Sequence, residues 1–372
     1  MSPTLVAKLN LFTPGQPLER ASTIPNVWYT DADISQWERK AVFGSNWVVV
    51  GRADQVEKPG QYLTCDLAQE PLLIVRGEDG NLRGFFNVCR HRAARVVGTE
   101  CGRADRLRCP YHGWTYDLTG ALRGVPEFEN VAYFRREDNG LLPIQVEAWG
   151  PLLFAHLGEP AQSLAEFLTP MTEQLAPFHL ERMRFVGRKS YELACNWKVF
   201  VDNYLDGGYH VNYIHPALAS VLDYKQYRTE TFEYCSVQSS PMKAPEVGDD
   251  ASAATVRQGT QAAYWWLYPN LMLNAYEGVM DTNLVLPLGP DRCQVLFDFY
   301  FDDDPARGAE YQAQSMKVAD QIQGEDVGIC EDVQRGLHSR AFTVGRYSVR
   351  REVGVWHFHQ LLARQLQIPV RG

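Results

Sequence analysis

His210 and His215 stand five residues apart, just after a stretch that holds Asp202 and Asp206. Upstream lie Cys89, His91, Cys109 and His112, in the pattern C-x-H, seventeen residues, C-x2-H. The upstream set mixes sulfur with nitrogen. Such a set holds either tetrahedral zinc or a [2Fe–2S] cluster with thiolates on one iron and imidazoles on the other. The downstream set offers nitrogen and oxygen. Two imidazoles and one carboxylate on one face of an iron leave its other positions open for dioxygen and substrate. A chain with both has one place to hold an electron and another to use it.

The histidine spacing constrains the backbone around it. On a regular helix, residues five apart point roughly 140° apart, five steps of about 100°. A zinc protease pair needs i and i+4, so that alternative loses ground. An i, i+5 pair converges when the helix is broken. Gly207-Gly208 before His210 and Pro216 after His215 supply the breaks.

The rest of the chain must supply elements that hold these groups. Residues 1–25 are polar and proline-containing and read as an arm over the surface. Residues 31–43 show a helix cap followed by helical spacing at Ile34, Trp37 and Ala41. From Trp47 to about 157 the pattern changes to short β-like runs separated by turn residues, with both Cys/His pairs inside it. Residues 158–180 read as a connector. Beyond it come strands over 185–193, a helix from about Trp197, and a long antiparallel region with strands at 263–268 and 294–301. A helix over about 306–336 follows, then a shorter one near the C-terminus. Residues 246–254 read as a mobile loop. These elements divide into residues 1–42 (arm and helix, packing with the last domain), 43–160 and 161–372.

Composition narrows the classes. The chain has 372 residues, 45% of them hydrophobic, enough for two domains with substantial cores. A formal charge of −9 argues against nucleic acid as a partner. No apolar run approaches the roughly 20 residues of a membrane span. The start lacks the features of a secretory signal, so a cytoplasmic location is expected. Cys65, Cys101, Cys195, Cys235, Cys293 and Cys330 are scattered and read as buried apolar thiols.

The local sequence separates zinc from iron. Asn87-Val88-Cys89-Arg90-His91-Arg92 and Cys109-Pro110-Tyr111-His112-Gly113-Trp114 resemble the two cluster loops of Rieske proteins. Respiratory members carry an extra, disulfide-linked cysteine in each loop, and here those positions are Ala94 and Tyr111. Trp114 stands where that branch has a serine bonded to the cluster. Fewer hydrogen bonds to sulfur lower the potential, toward roughly −150 mV at the low end of the Rieske range.

Together the motifs resemble the Rieske non-haem iron oxygenases, of the aromatic-ring-hydroxylating α-subunit type, over roughly residues 25–365. Residues 195–211 and 28–31 are most similar to choline-monooxygenase-like members. The resemblance implies an α+β protein: an all-β Rieske domain, then a helix-grip catalytic domain with an antiparallel sheet. It implies that Asp326, in the Glu325-Asp326 pair, joins His210 and His215 as ligands of mononuclear Fe(II), with Glu325 the competing carboxylate. It also implies a homotrimer in which the cluster of one subunit feeds the iron of its neighbour. The catalytic acid that bridges the two centres, from His112 to the iron site, maps to Asp206, with Asp202 as the fallback.

No flavin or nicotinamide fingerprint is evident, so electrons must come from a separate reductase or ferredoxin. The expected activity is monooxygenation of a small molecule by O2, with a choline-like or betaine-like quaternary ammonium as substrate. Tyr264, Trp266 and Tyr268 share one strand face and offer rings to a cation. Hydroxylation or O/N-demethylation of an aromatic compound is the alternative, and a pure Rieske electron carrier the remote one.

Overall fold

The stretch expected as an arm contains a short helix. Ser2 Oγ accepts the Leu5 N–H at 3.2 Å and Pro3 occupies the first helical turn, a start signal for a helix. Helix α1 (Pro3–Leu9) buries Leu5 and Leu9. Helix α2 (Val27–Thr30) and helix α3 (Ala32–Ala41) follow, the latter capped by the Asp31 carboxylate on the N–H groups of Asp33 and Ile34. The computed structural model describes residues 1–215, 218, 219, 222–243, 256, 259 and 261–367. The loop expected at 246–254 and the break at Pro216 lie outside the described residues. Two compact units emerge, Phe43–Phe167 and Met1–Val42 with Leu168–Gly372.

The Phe43–Phe167 unit is built from ten strands: β1 (Val48–Arg52), β2 (Gln61–Leu67), β3 (Glu70–Arg76), β4 (Leu82–Phe86), β5 (Cys101–Arg103), β6 (Leu107–Arg108), β7 (Thr115–Tyr116), β8 (Leu122–Gly124), β9 (Pro143–Trp149) and β10 (Leu152–His156). Seven form an antiparallel sheet in the order β1-β10-β9-β4-β3-β2-β5, and β6-β7-β8 form a second, smaller one. Leu73, Val75 and Phe85 from the first sheet pack with Leu107, Trp114, Tyr116 and Leu122 around the second. Cys89 and Cys109 are in the same core.

Where a connector was expected, helix α4 (Leu164–Leu175) stands, with Pro170 inside it. That proline is what hides the helix from a sequence reading. The larger unit then runs through β11 (Arg184–Leu193), helix α5 (Trp197–Leu205), helix α6 (Val211–Ile214), β12 (Arg228–Thr231), β13 (Cys235–Pro241), β14 (Gln261–Leu267), β15 (Leu271–Tyr276), β16 (Val279–Gly289), β17 (Arg292–Phe301), helix α7 (Ala309–Leu337) and helix α8 (Val353–Gln367). Its seven strands pair antiparallel in the order β11-β17-β16-β15-β14-β13-β12. Helix α5 packs on β16, β17, α7 and α8. This is the α+β class expected from the sequence. Among the described residues no helix is long and apolar enough to cross a membrane. Of the six cysteines read as buried thiols, Cys101 is instead exposed and Cys65 only half-buried; Cys101 lies on β5, the edge of its sheet.

One buried ion pair anchors α5. Lys198 Nζ lies 2.6 Å from Glu38 Oε1, with side chains 0% and 1% exposed, and Trp197 Nε1 donates to Glu38 Oε2. Removing one partner strands the other charge in the core. Glu38→Ala is therefore expected to destabilise this unit by about 3–5 kcal/mol, and Glu38→Ala with Lys198→Met to recover part of the loss. Denaturant unfolding followed by tryptophan fluorescence checks this. A loss below about 1 kcal/mol in the single variant would mean that the pair is not what holds α5 to α3.

Candidate metal centres

Two short loops converge in the smaller unit. The first leaves β4, and the Cys89 N–H bonds the Ala94 carbonyl at 2.8 Å while the Ala93 N–H bonds the Cys89 carbonyl at 3.0 Å. The second is the β6–β7 hairpin loop, closed by Cys109 N–H to Trp114 carbonyl at 2.8 Å and Gly113 N–H to Cys109 carbonyl at 3.1 Å. Each loop thus folds back on its own cysteine. The four side chains meet: the His91 and His112 rings are 4.7 Å apart, and His91 stacks on Trp114 at 4.9 Å and 5°. Burial pushes the Cys109 thiol up, the N–H groups of Tyr111 and His112 work against it, and the neighbouring Cys89 thiol adds to the rise. His91 Nδ1 is buried without a hydrogen-bond partner. An orphaned imidazole nitrogen beside two thiols and a second imidazole fits a metal–sulfur group.

Tyr116 belongs to this centre and was not foreseen. Its hydroxyl takes the Arg90 N–H at 3.0 Å and lies 3.5 Å from Cys89 Sγ. A tyrosine seven residues past the second cysteine, in a two-residue strand, carries no sequence signal of that role.

The second centre is assembled by α5, α6 and α7. Helix α5 stops at Leu205, and Gly207 and Gly208 take φ of +70° and +68°, a region L side chains avoid. A Cβ on Gly207 would come within 2.1 Å of the Arg351 carbonyl oxygen, so only glycine fits. The turned chain places His210 at the start of α6 and His215 at its end, which resolves the i, i+5 spacing. The buried residues of α7 include Ala319, Gln323, Cys330 and Gln334. Asp326 lies on that stripe, three residues from Gln323 and four from Cys330, whereas Glu325 is one step of about 100° away. One atom each from His210, His215 and Asp326 lie within 4.8 Å of one another. His215 Nε2 is 3.0 Å from Asp326 Oδ1, and Asn203 Nδ2 donates to the same oxygen at 2.7 Å.

Each histidine is held from behind by a carboxylate. His210 Nδ1 donates to Asp206 Oδ2 at 2.6 Å, and the Tyr209 and His210 N–H groups also bond that carboxylate. His215 Nδ1 donates to Glu325 Oε2 at 2.6 Å. A carboxylate only accepts, so both Nδ1 atoms carry hydrogen and both Nε2 atoms can face a metal. Burial alone would lower the His215 pKa, but Asp326 and Glu325 outweigh it and hold it above the usual histidine value. Two imidazoles and a carboxylate with fixed ring orientations suit iron(II). Glu325 thus stands behind His215, although the sequence left it as the rival of Asp326. Glu325→Gln is expected to weaken metal affinity about 10–100-fold while leaving the fold intact. Titration of metal-free protein with Co(II), read by its visible bands, measures this; unchanged affinity would mean that the contact is incidental.

Asp202 lies one turn before Asp206, with its carboxylate otherwise engaged. It accepts from Tyr29 Oη at 2.5 Å and from His359 Nε2 at 3.0 Å, and Tyr347 Oη bonds His359 Nδ1 at 2.7 Å.

A cavity of about 110 Å³ adjoins His210, His215 and Asp326. Tyr204, Tyr227, Tyr264, Tyr276 and Phe297 supply its rings, and Gln238, Asn274, Asp281 and Asn283 its polar wall. Burial pushes the Tyr204 and Tyr227 hydroxyls well above the ordinary tyrosine pKa, so they stay neutral donors. Of the aromatic face expected on β14, only Tyr264 reaches this space. Trp266 packs on Phe358 of α8 and on Tyr268, so those two rings are core.

Residues 46–135 match the model of the Rieske [2Fe–2S] domain, and residues 180–368 that of the ring-hydroxylating α subunit catalytic domain. The chain is 39% identical over 368 residues to the chloroplastic choline monooxygenase of Arabidopsis thaliana, covering 96% of this chain and 86% of that one. It is 29% identical to the carnitine monooxygenase oxygenase subunit of Escherichia coli (strain K12), covering 93% and 94%. A solved quaternary ammonium Rieske monooxygenase in complex with L-carnitine superposes with a TM-score of 0.81 at 27% identity, covering 94% of this chain and 97% of that one.

Proposed function

The chain belongs to the Rieske oxygenases of the ring-hydroxylating α-subunit family, and on that premise we propose that it hydroxylates a small quaternary ammonium compound, choline or a betaine-like relative. It is an oxidoreductase whose cofactors are a Rieske [2Fe–2S] cluster and a mononuclear iron, and its electrons come from a separate reductase. Cys89, His91, Cys109 and His112 would hold the cluster, and His210, His215 and Asp326 the iron. When bound, the iron supplies the site at which dioxygen is reduced next to the substrate. The protein's residues do the rest. Asp206 and Glu325 fix the tautomers of the two imidazoles, and Asn203 steadies Asp326. The apolar rings exclude bulk water from the cavity beside them.

The observation that carries the substrate class is the cavity wall. A quaternary ammonium cannot donate a hydrogen bond, so its recognition rests on aromatic faces and nearby negative oxygens. Tyr227 and Tyr264 are near-parallel at 6.4 Å and 15°, Tyr276 meets Tyr264 edge-on at 6.0 Å, and Asp281 lies in the same wall. The volume is well below the roughly 300–1,000 Å³ of pockets for drug-sized molecules, which favours a compact cation. The relatives' choline and carnitine activities point the same way. Oxygen uptake with an electron donor, run against quaternary amines and aromatic acids, tests this. Choline or a betaine is expected to win by roughly tenfold or more, about 1.4 kcal/mol. An aromatic acid as the better substrate would overturn the proposal.

The bridge between centres is assigned to Asp206. Its carboxylate touches His210 directly, while Asp202 is held by Tyr29 and His359. We place His112 of a neighbouring subunit on the far side of Asp206, in a homotrimer. A solved relative, 27% identical with a TM-score of 0.83, is described for inter-subunit electron transfer.

A further inference from the structure

Helix α7 presents more to the cavity than Asp326. Ala319, Ile322, Gln323 and Asp326 all line it, at the i, i+3, i+4 and i+7 spacing of one helix face. Gln323 is 2% exposed, and its Nε2 is buried and bonds no protein atom. Three other amides of the wall are spent on the protein itself: Asn203 on Asp326, Gln238 on the Tyr204 carbonyl and Asn274 on Asp281. Among the described residues, Gln323 has the wall's one buried side-chain nitrogen without a partner. A buried N–H group without an acceptor destabilises the fold, so it points to an acceptor that arrives with a ligand.

The ammonium end of the substrate cannot be that acceptor. A quaternary nitrogen has neither an N–H nor a free lone pair, and it is held by aromatic faces. Those faces are on the sheet, with Tyr264 on β14 and Tyr276 on β15, and Asp281 follows on β16. Gln323 is on the helix, one turn before Asp326 and about 4.5 Å from it along the axis. The acceptor it needs is therefore an oxygen at the other end of the substrate, beside His210, His215 and Asp326. The wall sets the charge of that oxygen. Asp281 and Asp326 are both acidic, and among the described lining residues none is lysine or arginine. A carboxylate would meet two like charges there without a counter-ion, in surroundings of low dielectric. A hydroxyl meets no such repulsion.

We propose that Gln323 is a specificity-determining residue whose Nε2 donates to an uncharged hydroxyl oxygen of the substrate, so that the carbon bearing this oxygen lies beside His210, His215 and Asp326. This rests on the reading of the chain as a quaternary ammonium oxygenase. It narrows that reading from choline or a betaine to a quaternary ammonium alcohol. The tyrosines and Asp281 select the cation, and Gln323 selects what the cation carries.

The experiment is calorimetric titration of the oxidised holoenzyme without reductant, so that binding is read apart from turnover. The ligands are choline, glycine betaine and ethyltrimethylammonium, which has the cation and carbon skeleton of choline but no oxygen. Choline is expected to bind at least about tenfold tighter than either, because a site built to bond a substrate oxygen discriminates against the analogue that lacks it. Gln323→Met keeps an unbranched side chain of similar length and removes the donor. In that variant the preference for choline over ethyltrimethylammonium is expected to fall to within about twofold, with iron content and cluster spectrum unchanged. Lost packing alone would weaken both ligands together and keep the preference, and that result overturns the proposal. Equal binding of the two by the unmodified protein overturns it without any variant and leaves the quaternary ammonium reading standing. Tighter binding of glycine betaine than of choline overturns the hydroxyl assignment. If none of the three binds and oxygen uptake responds only to aromatic acids, the quaternary ammonium reading itself fails.

Discussion

Asp326→Ala is expected to abolish oxygenation and to remove one iron per chain while the Rieske spectrum survives. Losing an outer partner of a ligand already costs about 10–100-fold in affinity, and a ligand itself costs more. The two imidazoles stay in place, because Asp206 and Glu325 hold them independently of Asp326. Three irons per chain should fall to two, with acid-labile sulfide unchanged. Glu325, although adjacent, cannot take over, since it is bonded to His215 Nδ1 on the other side of the ring from Asp326. Full activity in Asp326→Ala would show that another carboxylate completes the iron site.

Asp206→Asn should separate electron delivery from metal binding. Asparagine keeps an acceptor for His210 Nδ1 but loses the charge and one acceptor oxygen. Reduction of the cluster is expected to be normal, and iron affinity to fall by about 10–100-fold as for Glu325→Gln, so the variant is assayed with the iron site filled. Cluster reoxidation in the presence of O2 and substrate should slow by a factor on the order of a hundred or more, as expected when a group that couples two centres is removed. Asp202→Asn serves as the control. It disturbs the Tyr29 and His359 contacts and should cost stability with little change in reoxidation. If Asp206→Asn reoxidises at the normal rate and Asp202→Asn does not, the bridge is Asp202.

The groups with chemistry were legible because metal sites demand particular residue types at short spacing. C-x-H and C-x2-H pairs need only tight loops, which the structure provides through the Cys89–Ala94 and Cys109–Trp114 backbone bonds. The glycine pair before His210 was legible for a similar reason: two adjacent glycines mark a chain free to turn through positive φ. The cavity wall was not. Tyr264, Asn274 and Asp281 are brought together by sheet register, Tyr264 opposite Asn274 and Asn274 opposite Asp281. No local pattern reports that pairing. Strand alternation put Trp266 beside Tyr264, but alternation cannot tell a cavity from the side of helix α8. Helix α1 was missed because it is only seven residues long, with Leu5 and Leu9 as its buried face, and α4 because Pro170 sits inside it.

A single turnover tests the central claim most directly. Protein reconstituted with iron and sulfide is reduced chemically, freed of reductant, and mixed with O2 and choline or a betaine while cluster absorbance and product are followed together. The account requires cluster reoxidation to be fast only with the quaternary ammonium present and to be accompanied by oxidised product in near-stoichiometric yield. Reoxidation at the same rate with and without any quaternary ammonium, and with no product, would contradict it and leave the chain as an electron carrier.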